Sequence, residues 1–267
     1  MDLLLSRARL RATPRSTGTA RALLRRALLL ALILTAPAHA EAIDCPAAAT
    51  DTLRLLLVVA PSMSSVAAEA RLYERAAVEE RWQPAGPPFA VVLGRAGLGW
   101  AWNEPHRGAD EPQKREGDGR TPAGVFRAGP AFGTDRRELA DYLPLRAGES
   151  ACVDDVASPL YNEIAPLSRI DAASHEAMWR IPLYRQGIVV EHPTNREAAG
   201  GSCIFLHVWR GAGHGTLGCV AAPEADIVAV QDAFDGVPAA IAILPEAALP
   251  RFEGCGLPLP EAVTEPH

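Results

Sequence analysis

The stretch Ser202-Cys203-Ile204-Phe205-Leu206-His207-Val208-Trp209, a glycine-rich loop from Arg210 onward, and then Thr216-Leu217-Gly218-Cys219-Val220 decides how the rest of the chain is read. The run from Cys203 to Trp209 is dense in apolar and β-favouring residues, so it predicts a strand that carries His207 near its end. Cys219 follows 12 residues later, and a hairpin-like return of that length brings the thiol and the imidazole together. A cysteine nucleophile needs a base within hydrogen-bond reach to act as a thiolate. Glycine before the cysteine lets the backbone turn sharply, so that successive N–H groups point at one place, the arrangement that stabilises an oxyanion in acyl transfer.

Working outward, Gln186-Gly187 leads into Ile188-Val189-Val190-Glu191-His192, a strand that Pro193 stops. After the cysteine, Pro223-Glu224-Ala225-Asp226 opens a helix: proline fits the first turn, acids suit the positive end, and Ile227, Val230 and Phe234 share a face. Ala239 to Leu244 reads as a closing strand. Nearer the N-terminus, Thr52 to Pro61 and Phe89 to Leu93 are buried strands, whereas Val66 to Arg81 fits either a helix or a second hairpin. Trp102 to Pro122 gathers charge, glycine and proline as a loop and leads into a strand starting at Ala123. The expected fold is mainly β, a sandwich or barrel with a few short helices. It forms a single domain over 41–267, with N-terminal strands in 41–100 and the catalytic core in 186–245.

Residues 1–40 read as a signal peptide: seven arginines against one aspartate, the apolar run Ala27 to Leu34, and Ala38-His39-Ala40 for cleavage. That run is too short to span a bilayer about 30 Å thick, so the expected product is exported to the periplasm or cell envelope without stable membrane insertion. Cleavage leaves 19 basic residues against 31 acidic ones, a net charge of −12. Nucleic acid and anionic membrane surfaces are bound through excess Lys and Arg, which this balance excludes.

Five cysteines remain in the exported part: Cys45, Cys152, Cys203, Cys219 and Cys255. An odd count in an oxidising compartment leaves one thiol over. If that thiol is Cys219, the other four form two disulfides in one of three pairings. A bond between Cys45 and Cys255 would staple the ends, and one between Cys152 and Cys203 would brace the loops against the histidine strand.

His207, Thr216, Gly218 and Cys219 match, position by position, the signature of the L,D-transpeptidase (YkuD-type) catalytic domain, and Thr121-Pro122-Ala123-Gly124-Val125-Phe126 resembles the family's earlier Thr-Pro-x-Gly-x-Phe segment. The resemblance implies that Cys219 attacks a peptidoglycan stem-peptide carbonyl beside diaminopimelate and forms a thioester, with no cofactor and no metal. It implies His207 as base, the N–H groups of Leu217, Gly218 and Cys219 as oxyanion hole, and the carbonyl of Val208 as the group that orients the imidazole, with Thr216 supporting the turn. Many members carry arginine two residues after the nucleophile; this chain has Ala221, as does a branch associated with cross-links from the shorter stem, L-alanine to diaminopimelate. Arg210, Arg120 and His192 are the candidates to supply the missing contact, with Trp209 as a further substrate neighbour. Two rivals remain at this level: the same site passing its thioester to water as a carboxypeptidase or amidase, and a non-catalytic wall-binding module.

Overall fold

The computed structural model of the chain describes residues 45–258; the leader expected at 1–40 lies outside the described residues. Eight strands form the closed circuit of the eleven-stranded main sheet: β1 (Arg54–Ala60), β2 (Ala67–Glu74), β3 (Phe89–Val92), β4 (Thr121–Gly133), β5 (Gly187–Glu191), β6 (Phe205–Val208), β7 (Val220–Ala222) and β8 (Ala239–Pro245). They hydrogen-bond in the order β1-β8-β4-β5-β6-β7-β3-β2, and β2 pairs back onto β1, so the sheet closes into a barrel. The sequence left sandwich and barrel open; closure satisfies the backbone groups that each sandwich edge would expose.

Closure also explains the apolar runs. All seven residues of β8 are buried, and so are Leu55, Leu56, Leu57, Val58 and Ala60 of β1. Such strands cannot alternate polar with apolar residues, because one face fills the barrel and the other lies under a covering element. Part of that cover is α1 (Ala47–Thr50) and α2 (Glu224–Phe234). Pro223 stands at the N-cap of α2, with Glu224 and Asp226 in its first turn. Ile227 and Val230 are fully buried on its inner face, each contributing about 1.5–3 kcal/mol of apolar transfer.

The undecided segment Val66 to Arg81 contains β2, paired antiparallel to both β1 and β3. Strand β4 begins at Thr121, earlier than the expected Ala123, because the preceding short strand Leu98–Trp100 pairs with Thr121–Ala123. One local expectation is overturned: β6 and β7 do not return as a hairpin but pair in parallel, with His207 opposite Ala221. The intervening loop therefore crosses back to start β7 at the same end as β6.

Two disulfides hold the periphery. Cys45 joins Cys255 across 210 positions, and Cys152 joins Cys203. The second fixes a small ribbon, Ala151–Cys152 with Ile164–Ala165 and Glu176–Ala177, beside the approach to β6. Tyr161 and Asn162 reinforce that junction: Tyr161 donates to Glu116, which also accepts from Ser202, and Asn162 Oδ1 accepts the Cys203 N–H at 2.9 Å. Among the described residues no helix is long and apolar enough to cross a membrane.

Candidate active site

Cys219 is the free cysteine of the described chain. It is buried at the mouth of β7, with its thiol in contact with the backbone that opens β6: Sγ accepts the Phe205 N–H at 3.4 Å and faces the Cys203 carbonyl at 3.4 Å. Burial pushes the thiol up to about 12, and the nearby carboxyl of Glu176 acts in the same direction. The resting sulfur is thus a neutral S–H at ordinary pH.

Both threonines of the quoted motifs converge on the cysteine carbonyl, Thr216 Oγ1 at 2.6 Å and Thr121 Oγ1 at 3.1 Å. Thr216 is itself pinned through backbone bonds to Leu93 and Arg95, at the end of β3. The Thr-Pro segment and the Thr-x-Gly-Cys segment are 98 positions apart at that shared carbonyl and act as one clamp. Gly218 takes a φ of +156°, and a Cβ there would lie 3.1 Å from Ile204 and 3.2 Å from the Arg120 carbonyl. Its N–H is already committed to Thr216 Oγ1 at 3.1 Å. Of the three amides expected to face an oxyanion, only those of Leu217 and Cys219 have no hydrogen bond among the described residues.

His207 is 5% exposed and its Nδ1 lies 2.8 Å from the carbonyl of Val208. A carbonyl only accepts, so Nδ1 carries the proton and Nε2 keeps its lone pair. Burial pushes the imidazole down to about 4, the Val208 bond works against that shift, and the charge of Arg210 adds to it. His207, Cys219 and Ala221 line one cleft of about 660 Å³. No hydrogen bond joins the two side chains in this arrangement; the thiol is turned to the backbone of Cys203 and Phe205.

The four expected substrate contacts separate. Arg210 lines the cleft, exposed at its rim. Arg120 does not, because its guanidinium is spent on the carbonyls of Ala96 and Leu98 at 2.7 and 2.9 Å. His192 is buried elsewhere, its Nε2 on the Gly201 carbonyl at 2.9 Å, and burial pushes it down to about 4. Trp209 is half-buried and is not part of the cleft wall.

Sequence reasoning missed the buried polar groups beside the thiol. Tyr184 is buried, stacks edge-on to His207 at 5.2 Å and donates its hydroxyl to Glu176 at 2.9 Å. Burial raises the carboxyl of Glu176 above the usual range and pushes the Tyr184 phenol far up, so both groups favour their neutral forms. Lys114 and Glu116 line the cleft as well. Among the described residues no group of three or more His, Cys, Asp or Glu side chains is placed to hold a metal ion.

No family model matches the chain, and no curated protein matches it either. Solved structures do resemble it, among them crystal structures of the helical cell shape determining protein Pgp2 from Campylobacter jejuni, one of them of a point mutant, at 12% and 13% identity. Both have a TM-score of 0.36 and cover 73% of this chain. The chain in turn spans about half of theirs, 48% and 47%.

Proposed function

We propose that this chain is an exported cysteine acyltransferase of the L,D-transpeptidase type, which forms peptidoglycan cross-links through a thioester on Cys219. The observation that carries the reading is the shared cleft: one free thiol, one histidine with Nε2 unprotonated, and two unpartnered amides at a glycine turn. The two disulfides support an oxidising compartment.

Because thiol and imidazole are both neutral at rest, the proton moves during attack and not before it. The thiol leaves the Cys203 carbonyl and turns toward His207, Nε2 takes the S–H proton, and sulfur bonds to the stem-peptide carbonyl carbon. The carbonyl oxygen becomes an oxyanion, held by the Leu217 and Cys219 amides. Collapse breaks the C–N bond and His207 returns the proton to the leaving amine. A second amine then attacks the thioester and gives a proton to His207; collapse breaks the C–S bond, the Cys219 sulfur takes that proton back, and the cross-linked product is released. The donor is a stem containing diaminopimelate, full-length or shortened to L-alanine and diaminopimelate.

Mass spectrometry of muropeptides tests the proposal, after diaminopimelate-type peptidoglycan is incubated with the protein or with Cys219→Ala. New dimers that vanish in the variant are expected, and their fragmentation names the donor stem. Shortened stems without dimers would make water the acceptor. No Cys219-dependent change at all would overturn the enzymatic reading.

A further inference from the structure

The chain contains a single lysine, Lys114, against 25 arginines. It sits in the loop that leads into β4, yet it is only 2% exposed. Its Nζ donates to the Arg115 carbonyl and to Asp118 Oδ1, both at 2.6 Å. An ammonium group has three N–H donors, so one is uncommitted among the described residues. Burying that charge is costly, and one carboxylate with one carbonyl offsets only part of the cost.

The position of this ammonium gives it a use. Lys114 lines the same cleft as Cys219. A Cβ on Gly218 would lie 3.9 Å from Lys114 Cε, and one on Gly201 only 2.8 Å from Nζ. Gly201 therefore makes room for the lysine, whose Cε also lies near Gly218 in the cysteine turn. Arg95 and Arg210 line the cleft too, and neither has an ion-pair partner among the described residues. Glu116, Asp154 and Glu176 line the cleft as well, with Glu116 and Glu176 engaged by Tyr161, Ser202 and Tyr184. An anionic ligand group entering this cleft meets three cationic side chains, of which Arg95 and Arg210 have no ion-pair partner among the described residues.

We infer that Lys114 is the charged contact for a carboxylate on the ligand that binds beside Cys219, with Arg95 and Arg210 guiding that carboxylate in from the rim. The inference deepens the proposed function and rests on its placing the ligand in this cleft: the substrate class becomes acyl donors that carry a free carboxylate close to the carbonyl attacked. The carboxylate accepts the third N–H of Lys114, which orients the donor over the thiol.

The test uses two alkylating reagents that differ in charge alone at the end that matters, iodoacetate and iodoacetamide, on the full chain without reductant. Cys219 is the one free thiol of the described chain, so alkylation reports on it. The rate with iodoacetate is divided by the rate with iodoacetamide, and the ratio is normalised to that of N-acetylcysteine. Thiol ionisation, burial and any general loosening of the loop affect both reagents and cancel. The normalised ratio should exceed one, fall on the order of fivefold in Lys114→Gln, and rise in Asp118→Asn, where the competing carboxylate is gone. A ratio that stays within twofold in folded Lys114→Gln overturns the inference. If that variant does not fold, a ratio that fails to rise in Asp118→Asn overturns it instead. Loss of muropeptide products together with the expected ratios would remove the peptidoglycan reading alone; Cys219-dependent products with flat ratios would remove the role of Lys114 alone.

Discussion

Acid should destabilise this protein through its two buried histidines, and His192 isolates the effect. The unfolded chain takes up the His192 proton near 6.5 and the folded chain only near 4. Between those values the unfolded state binds more protons, so stability is full above about pH 6.5 and is lost as pH falls toward 4. Going from pH 7 to pH 4.5, that linkage costs about 2 kcal/mol for His192 and, with the same shift, a similar amount for His207. Glu176 opposes both: its raised folded value adds stability as acid is added. The sum is therefore less telling than a difference. In His192→Gln the amide still donates to the Gly201 carbonyl but cannot titrate. Urea unfolding followed by circular dichroism, at pH 7 and pH 4.5, should show wild type losing about 2 kcal/mol more than the variant between the two conditions. The Glu176 contribution cancels in that comparison. An equal loss in the two proteins, within about 0.5 kcal/mol, would refute the reasoning.

For turnover, a base held near 4 puts the acid limb of the rate profile there, with activity flat from neutral pH down to about 5; a limb near 6.5 would mean that His207 is not the base or is not buried while it works. Gly218→Ala places a Cβ against Ile204 and the Arg120 carbonyl in a backbone conformation that suits glycine, so Cys219-dependent product should drop at least about tenfold while the melting temperature moves by only a few degrees. The double variant Cys45→Ser, Cys255→Ser opens a loop of 210 positions and should lose roughly 5 kcal/mol of unfolding free energy by the chain-entropy account, read from guanidinium titration; a loss under 1 kcal/mol would show that the end segments are held by packing instead.

The apolar strands were legible because their signal is local. β1, β3, β5, β6 and β8 all fall within runs that composition and a terminal glycine or proline delimit. The direction of pairing was not legible: twelve residues between His207 and Cys219 fit a hairpin as well as a crossover, and only the neighbours of β7, with β6 on one side and β3 on the other, decide between them. The same limit explains the errors at the site. Arg120 looked free because nothing in its own segment shows that the carbonyls of Ala96 and Leu98 await it, and His192 looked like a cleft residue because its strand ends as the His207 strand does. Glu176 and Tyr184 carry no motif; Glu176 stands on the ribbon that the Cys152–Cys203 bond ties to the approach of β6, and Tyr184 is held by edge contacts with Phe132 and Phe205. Lys114 did leave a trace, as the one lysine in a chain that otherwise uses arginine for its side-chain cations.

That lone, buried lysine also turns the protein into its own opening gauge. A protease that cuts only after lysine has a single target bond in the whole sequence, the one after residue 114, and in the folded barrel the side chain it must grip is out of reach. Cleavage then proceeds no faster than the cleft wall opens, one event per molecule, with no competing cuts to disentangle. The two pieces stay joined through Cys45 and Cys255, so the nicked chain migrates as one species until reductant is added and then falls into two. Counting those halves over time measures how often the wall beside Cys219 comes apart, and a carboxylate ligand seated on Lys114 should slow the clock.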